Sequence, residues 1–246
     1  MSREIIEQWE AEFFSRQDKI IGMKKRKVLQ QKVVLVVGCG GLGSFAGELA
    51  ARSGTSVILI DNDVVSLDNI QRQNFTMDEL EKPKAECCAQ RISRIVRKEP
   101  EAARARLDES NAPGLIRKAD IVLDCTDNFS SREIINKACL DAKRPFVYAS
   151  VEGFIGYVSL IAPYEGACLA CFVKSLENQE HNNKETNVFG TVPFSVAGLQ
   201  ATLALSWLIG DYKEKNALYR ISVAELKIEK LKIKKDPSCR ICGKKA

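Results

Sequence analysis

Three glycines, Gly38, Gly40 and Gly43, are spaced G-x-G-x-x-G inside VVLVVGCGGLGSFAGELAARSGTSVILIDND, residues 33–63. Glycine lets a backbone turn sharply and approach a phosphate or ribose without a Cβ in the way. A helix that follows such a turn offers unpaired N–H groups and a positive dipole end to an anion. Asp61 then closes the next apolar run, where a carboxylate can accept both hydroxyls of a ribose. These residues suit a nicotinamide dinucleotide that exchanges hydride, and they suit another nucleotide used for other chemistry.

The residues beyond Asp61 discriminate between the two. DNDVVSLDNIQRQNF (61–75) carries Asp63, Asp68, Asn69, Ile70, Gln71 and Arg72 on a short loop; KPKAE places Lys84 at a helix start; DCTDN places Asp124, Asp127 and Asn128 at the tip of another apolar run. Arg72 and Lys84 can neutralise a polyphosphate, the guanidinium gripping two oxygens at once. Asp127 suits Mg²⁺, which takes carboxylate, water and phosphate oxygens. A hydride-transfer site needs no such clamp. Each charge alone reads as a surface residue; together, beside a nucleotide turn, they favour ATP.

Positioning these groups requires parallel strands whose C-terminal ends share one edge. VVLVV (33–37), SVILID (56–61), ADIVLDCTD (119–127) and PFVYAS (145–150) read as buried strands, with helices expected through Arg52, from Pro83 to about Lys98, and over 129–142. Residues 4–17 have helical apolar spacing. After residue 150 the pattern changes to an antiparallel ribbon in GFIGYVSLIAP, a polar stretch over 174–190, an apolar helix over 193–209 and strands near 217–224 and 226–233. The expected fold is α/β: Rossmann-like, three-layered, with a mixed, largely parallel sheet. It is read as a single domain over 1–246, comprising a helical arm (1–30), a nucleotide-binding half (31–150) and a C-terminal half of different pattern (151–246).

GCGGLGS, IDNDVVSLDNIQRQ, KPKAE, DCTDN and two paired C-x-x-C motifs together resemble the ThiF/MoeB/HesA family, relatives of the ubiquitin-activating enzymes, from about Arg16 to Cys242. The resemblance implies adenylation of the C-terminal glycine of a ubiquitin-like sulfur carrier, such as ThiS or MoaD, with ATP and Mg²⁺ consumed. It assigns Asp61 to the ribose and Gly41 and Asn69 to the nucleotide, with Asp63, Asp68, Ile70, Gln71 and Asn128 beside them. Arg72 and Lys84 go to the phosphates and Asp127 to magnesium. FFSRQ resembles the family's N-terminal arginine motif, which puts Arg16 in the active site of a second copy and implies a homodimer.

Cys168 and Cys171 (CLAC) with Cys239 and Cys242 (CRIC) supply four thiolates. Four cysteines suit a closed structural Zn²⁺ site; two disulfides or a redox C-x-x-C are the alternatives. The other five cysteines (Cys39, Cys87, Cys88, Cys125, Cys139) read as buried thiols, and His181 as solvated. Where ThiF-like members carry a cysteine that bonds the carrier, this chain has about Asn183, and no cysteine lies between Cys171 and Cys239. The family's Gly-Pro after that loop is Gly190-Thr191. A MoeB-like role is therefore expected, adenylation only, acting on a carrier with a Gly-Gly C-terminus, with sulfur delivered by a separate donor and the 174–190 loop crossing over the carrier's tail.

The net charge is +5, and residues 225–246 account for all of it, with eight Lys or Arg against three acids. No basic stripe interleaves with stacking aromatics, so nucleic acid is not expected as a partner. No apolar run approaches the roughly 20 residues of a membrane span, and a cytoplasmic location is expected. Two rival readings remain: an NAD-dependent oxidoreductase, and a non-catalytic module that binds a ubiquitin-like protein.

Overall fold

The computed structural model describes residues 3–163, 165–172, 187–212, 214 and 216–243. His181, Asn183 and most of the 174–190 stretch lie outside them. Three helices lead in: α1 (Arg3–Phe13), α2 (Ser15–Ile21) and α3 (Met23–Gln30). The expected helix over 4–17 is thus two helices, interrupted at Phe14, whose buried ring packs edge-on to Phe13 and Trp9.

The body alternates strands and helices: β1 (Val33–Val37), α4 (Gly43–Arg52), β2 (Ser56–Ile60), α5 (Lys84–Val96), β3 (Glu101–Ala103), α6 (Ala112–Lys118), β4 (Ile121–Asp124), α7 (Phe129–Asp141) and β5 (Phe146–Glu152). Then come β6 (Ile155–Ile161), the long helix α8 (Thr191–Leu208), β7 (Ala217–Ser222) and β8 (Lys227–Lys232). The strands form one eight-stranded sheet ordered β3-β2-β1-β4-β5-β6-β7-β8. Pairing is parallel from β3 to β5 and antiparallel from β5 to β8. Helix α5 stops two residues earlier than expected, because Arg97 turns left-handed (φ 53°) and caps it. Pro193 sits in the first turn of α8, where no intrahelical N–H is missed, so that helix starts ahead of it.

β1 is VVLVV because both its faces are covered: Val34 and Val36 face α4, α5 and α8, while Leu35 and Val37 face α6 and α7. Helix α8 is apolar nearly throughout, and its buried side carries Gln200, fully enclosed. Gln200 donates to the carbonyls of Asp124 and Val147 at 2.9 Å each and accepts from Cys125 Sγ at 3.3 Å, which ties this helix to β4 and β5.

Register sets the functional edge. Val37 pairs with Ile60 on one side and Asp124 on the other, so Gly38, Asp61 and Cys125 emerge side by side. The chain runs outward from β1 to β2 and β3 and then returns to β4, so this edge is the switch point of the sheet. Gly38 adopts φ +89°, and a Cβ there would stand 2.8 Å from the carbonyl oxygen of Cys125. A Cβ on Gly43 would stand 1.8 Å from the Gly38 carbonyl oxygen, so α4 can start against the turn only with glycine. Gly43→Ala should therefore force the helix away from β1. The expected cost is about 2 kcal/mol, typical of overpacking, and it should appear as a drop of roughly 5 °C in the melting temperature followed by circular dichroism.

Candidate nucleotide site and cysteine cluster

A cavity of about 840 Å³ opens at this edge. Its wall contains Gly38, Gly40 and Gly41 of the turn, Asp61 and Asp63 after β2, and Asp127 and Asn128 after β4. Asp68, Gln71 and Arg72 come from the 61–75 loop and Lys84 from the start of α5. Eleven residues singled out in the sequence thus converge on one space.

Asp61 is oriented by two backbone donors, Cys39 N–H at 2.6 Å and Asp63 N–H at 2.7 Å. Burial raises its carboxyl above the usual range, and those two N–H groups and the Lys84 ammonium partly offset the rise. The carboxylate keeps lone pairs for a diol at the cavity. Lys84 is nearly buried and reaches Asp63 Oδ2 at 3.4 Å, which holds its ammonium over the opening. Arg72 folds back on Asp68, donating to its backbone carbonyl and pairing with Oδ2 at 3.3 Å. The Asp68 carboxyl is lowered, first by the Ser66 hydroxyl and then by Arg72.

Asp127 is exposed in the cavity and, among the described residues, hydrogen-bonded only by Asn128 Nδ2, at 3.3 Å. Asn128 caps α7, accepting the Ser131 N–H at 2.9 Å. Gly43, Asn69, Ile70 and Arg16, also named in the sequence, do not line the cavity. Gly43 packs α4 on β1. Asn69 is buried and closes the Ser66 turn, its Oδ1 accepting the Ser66 N–H at 3.4 Å. Ile70 packs on the core. Arg16 lies exposed on α2, away from the cavity of its own chain.

The sequence reading did not single out Gln73, Arg132 or Tyr148, all of which line the cavity. Arg132, on α7, donates to the Thr126 carbonyl at 2.9 Å and stands 5.3 Å over the Tyr148 ring. It faces Asp124, which is fully enclosed and accepts from the N–H and hydroxyl of Thr126 at 3.1 and 2.7 Å. Burial raises the Asp124 carboxyl, and Arg132 and Thr126 pull it down. This buried pair stiffens the loop that carries Asp127. The D-x-x-D-N-x-x-x-R spacing from Asp124 to Arg132 is the only sequence signal that marks it.

The five scattered cysteines are all buried. Cys125 and Cys139 are raised by burial, Cys87 is pushed by burial to about 11, and Cys39 is raised first by its hydrogen bond with Cys88. Protonated buried thiols are poor nucleophiles. Gly153 N–H donates to the Asn187 carbonyl at 2.7 Å and Phe189 N–H to the Gly153 carbonyl at 3.0 Å, so the residues before α8 are pinned at the cavity mouth.

Cys168, Cys171, Cys239 and Cys242 bring four sulfurs within 4.8 Å of one another. Neighbouring Sγ–Sγ distances are 3.4, 3.7 and 4.0 Å. A tetrahedron with Zn–S bonds of 2.3 Å has edges of about 3.8 Å, so this donor set fits zinc. Asn136 braces it, donating to Cys168 Sγ at 3.6 Å and accepting the Leu169 N–H at 3.1 Å. Burial raises Cys168 and Cys171; at Cys239 burial is outweighed by the N–H groups of Cys242 and Ile241, which bring it to about 7.

The ThiF family pattern is matched by residues 14–241. The sulfur carrier protein ThiS adenylyltransferase of Escherichia coli (strain K12) is 31% identical over 230 residues, covering 91% of this chain and 90% of that protein. The molybdopterin-synthase adenylyltransferase of the same organism is 30% identical over 226 residues, covering 89% and 90%. A crystal structure of E. coli MccB with ATP superposes with a TM-score of 0.81 at 25% identity, covering 94% of this chain and 75% of that one. With its sequence pattern, its relatives and its fold in agreement, the chain belongs to the ThiF family.

Proposed function

We propose that this protein adenylates the C-terminal carboxylate of a ubiquitin-like sulfur carrier ending in Gly-Gly. A carboxylate oxygen attacks the α-phosphorus of ATP, and the bond from that phosphorus to the bridging oxygen of the β-phosphate breaks. Acyl-adenylate and pyrophosphate form. The observation that carries this reading is the convergence of Asp61, Arg72, Lys84 and Asp127 on one cavity at the switch point.

The chain's own residues account for the barrier. Attack of an anion on a polyanion is opposed by charge, and guanidinium and ammonium groups in a recessed site oppose that repulsion. Asp61 would hold the ribose, Arg72 and Lys84 the phosphates, and Asp127 a Mg²⁺ that draws charge from the leaving pyrophosphate. No general base is required, because the carboxylate is already ionised. The four cysteines would hold a structural Zn²⁺.

The buried state of the scattered thiols and the absence of a cysteine between Cys171 and Cys239 favour release of the acyl-adenylate to a separate sulfur donor in the cytoplasm. Arg16 is exposed and outside its own cavity, and Phe194 and Leu49 leave an apolar face on α8 and α4; both support a homodimer in which Arg16 serves the second copy.

ATP–pyrophosphate exchange with ThiS and MoaD as carriers tests the reading. Carrier-dependent exchange is expected, and Arg72→Ala should cut it about 100-fold, the effect of removing one charged contact to the reacting phosphates. ATP binding without exchange would favour the non-catalytic module. Retention of NAD without ATP binding would favour the oxidoreductase.

A further inference from the structure

Gln73 stands in the cavity wall next to Arg72, only 8% exposed. Its carboxamide makes no hydrogen bond to any described residue, and its Oε1 is sealed from solvent without a donor. The comparable buried amides are fully engaged: Gln200 makes three hydrogen bonds, Asn136 bonds both a sulfur and an N–H, and Asn69 closes a turn. The Gln73 backbone is fixed, its N–H donating to the Asn69 carbonyl and its carbonyl accepting from Phe75 N–H, both at 2.9 Å. A locked backbone that carries an unused buried amide is the signature of a group kept for a ligand, since buried polar groups are otherwise paired.

Position limits what that ligand is. Gln73 Nε2 lies 3.7 Å from where a Cβ on Gly40 would stand, so the amide rests against the glycine turn, and the missing side chain keeps the approach open. The turn leads into the N-terminus of α4, where an anionic phosphate is favoured. A phosphate, however, accepts hydrogen bonds and donates none, so it can satisfy Nε2 and leaves Oε1 unpaired. The second partner must be a donor beside the reacting phosphate. Resting on the adenylation reading above, the group available there is the N–H of the tail's terminal residue, which is one carbon removed from the attacking carboxylate.

We infer that Gln73 bridges the two reactants, Nε2 donating to the α-phosphate and Oε1 accepting the terminal peptide N–H of the tail. Oε1 is enclosed before the reactants arrive, and because the last torsion of glutamine is soft the amide can turn to bring Oε1 to the tail while Nε2 faces the phosphate. This holds the carboxylate in line with the bond to be broken and makes Gln73 a substrate-contacting residue that selects a tail with a free terminal N–H.

The test uses ThiS and MoaD, each semisynthesised with a terminal glycine or a terminal N-methylglycine, in ATP–pyrophosphate exchange. In the wild type, N-methylation should slow exchange about tenfold, as for loss of one hydrogen bond. Gln73→Leu should slow exchange with the unmodified carrier about 100-fold and show no further loss on N-methylation. It should keep ATP affinity within a few-fold and keep or raise the melting temperature. Gln73→Leu at the wild-type rate, or an undiminished N-methyl penalty in the variant, would overturn the inference and leave the adenylation reading standing. Absence of exchange in the wild type with either carrier would overturn both.

Discussion

Asp127→Ala should reduce ATP–pyrophosphate exchange at least about 100-fold, with ~2.7 kcal/mol or more of transition-state stabilisation lost. The side chain is exposed, and its single hydrogen bond among the described residues is to the neighbouring Asn128, so its removal leaves the core untouched. Stability should therefore stay within about 0.5 kcal/mol of the wild type, the usual range for a surface change. Asp127→Asn keeps the shape and removes the charge, and it should be nearly as defective, because magnesium needs the carboxylate rather than the volume. The two variants should bind ATP without magnesium as the wild type does and lose the tightening that added Mg²⁺ gives. Substantial residual turnover in either, at saturating Mg²⁺, would refute the magnesium role.

The effect is expected to be large because the loop is rigid before any ligand arrives. Asp124, Thr126, Arg132 and Gln200 lock the backbone on both sides of Asp127, so its carboxylate is presented without a reorganisation step. Preorganised charge of this kind contributes most to stabilising charge that develops during reaction.

That scaffold marks the boundary of what the amino-acid order discloses. VVLVV, SVILI and IVLD are legible as buried parallel strands because continuous β-branched and aliphatic runs have few other uses, and the glycine turn between β1 and α4 is legible because G-x-G-x-x-G is followed by a helix and an acid. β3 is not legible: Glu101–Ala103 is three residues long and largely exposed, and only its pairing with β2 makes it a strand. α6 begins Ala-Pro-Gly, which reads as a turn, and is helical because Ile116 fills the space beneath β1 and β4.

Within the site, the charged residues on the recognisable loops could be named because their chemistry is plain, while Gln73, Arg132 and Tyr148 could not, because their roles come from where tertiary packing aims them. Asn69 and Ile70 show the converse, since side chains on a ligand-binding loop also hold the loop itself. Each C-x-x-C pair is visible as a pair. That Cys168 meets Cys239 across 71 positions is a consequence of β6 and β8 belonging to one sheet.

Cys239→Ser should release one zinc per chain and lower the melting temperature by about 10 °C, the shift that ~3 kcal/mol produces in a chain of this size. Among the described residues, the segment after β8 is otherwise held by little: Ile233 is buried, Arg240 makes an exposed pair with Glu133 at 3.2 Å, and a small apolar cluster joins Leu140, Ala170 and Ile241 to the cysteines themselves. A metal shared by Cys168 and Cys171 after β6 with Cys239 and Cys242 after β8 would therefore close a long loop that little else closes. Disulfides are a poor fit, since a bond of about 2.05 Å would have to form within a cluster whose sulfurs lie at nearly tetrahedral spacing. A chelator should reproduce the melting shift in the wild type and add nothing in Cys239→Ser, whereas a reductant should shift neither. Elemental analysis decides the matter: one zinc in the wild type and none in the variant supports the clamp, and an unchanged metal content in the variant refutes it.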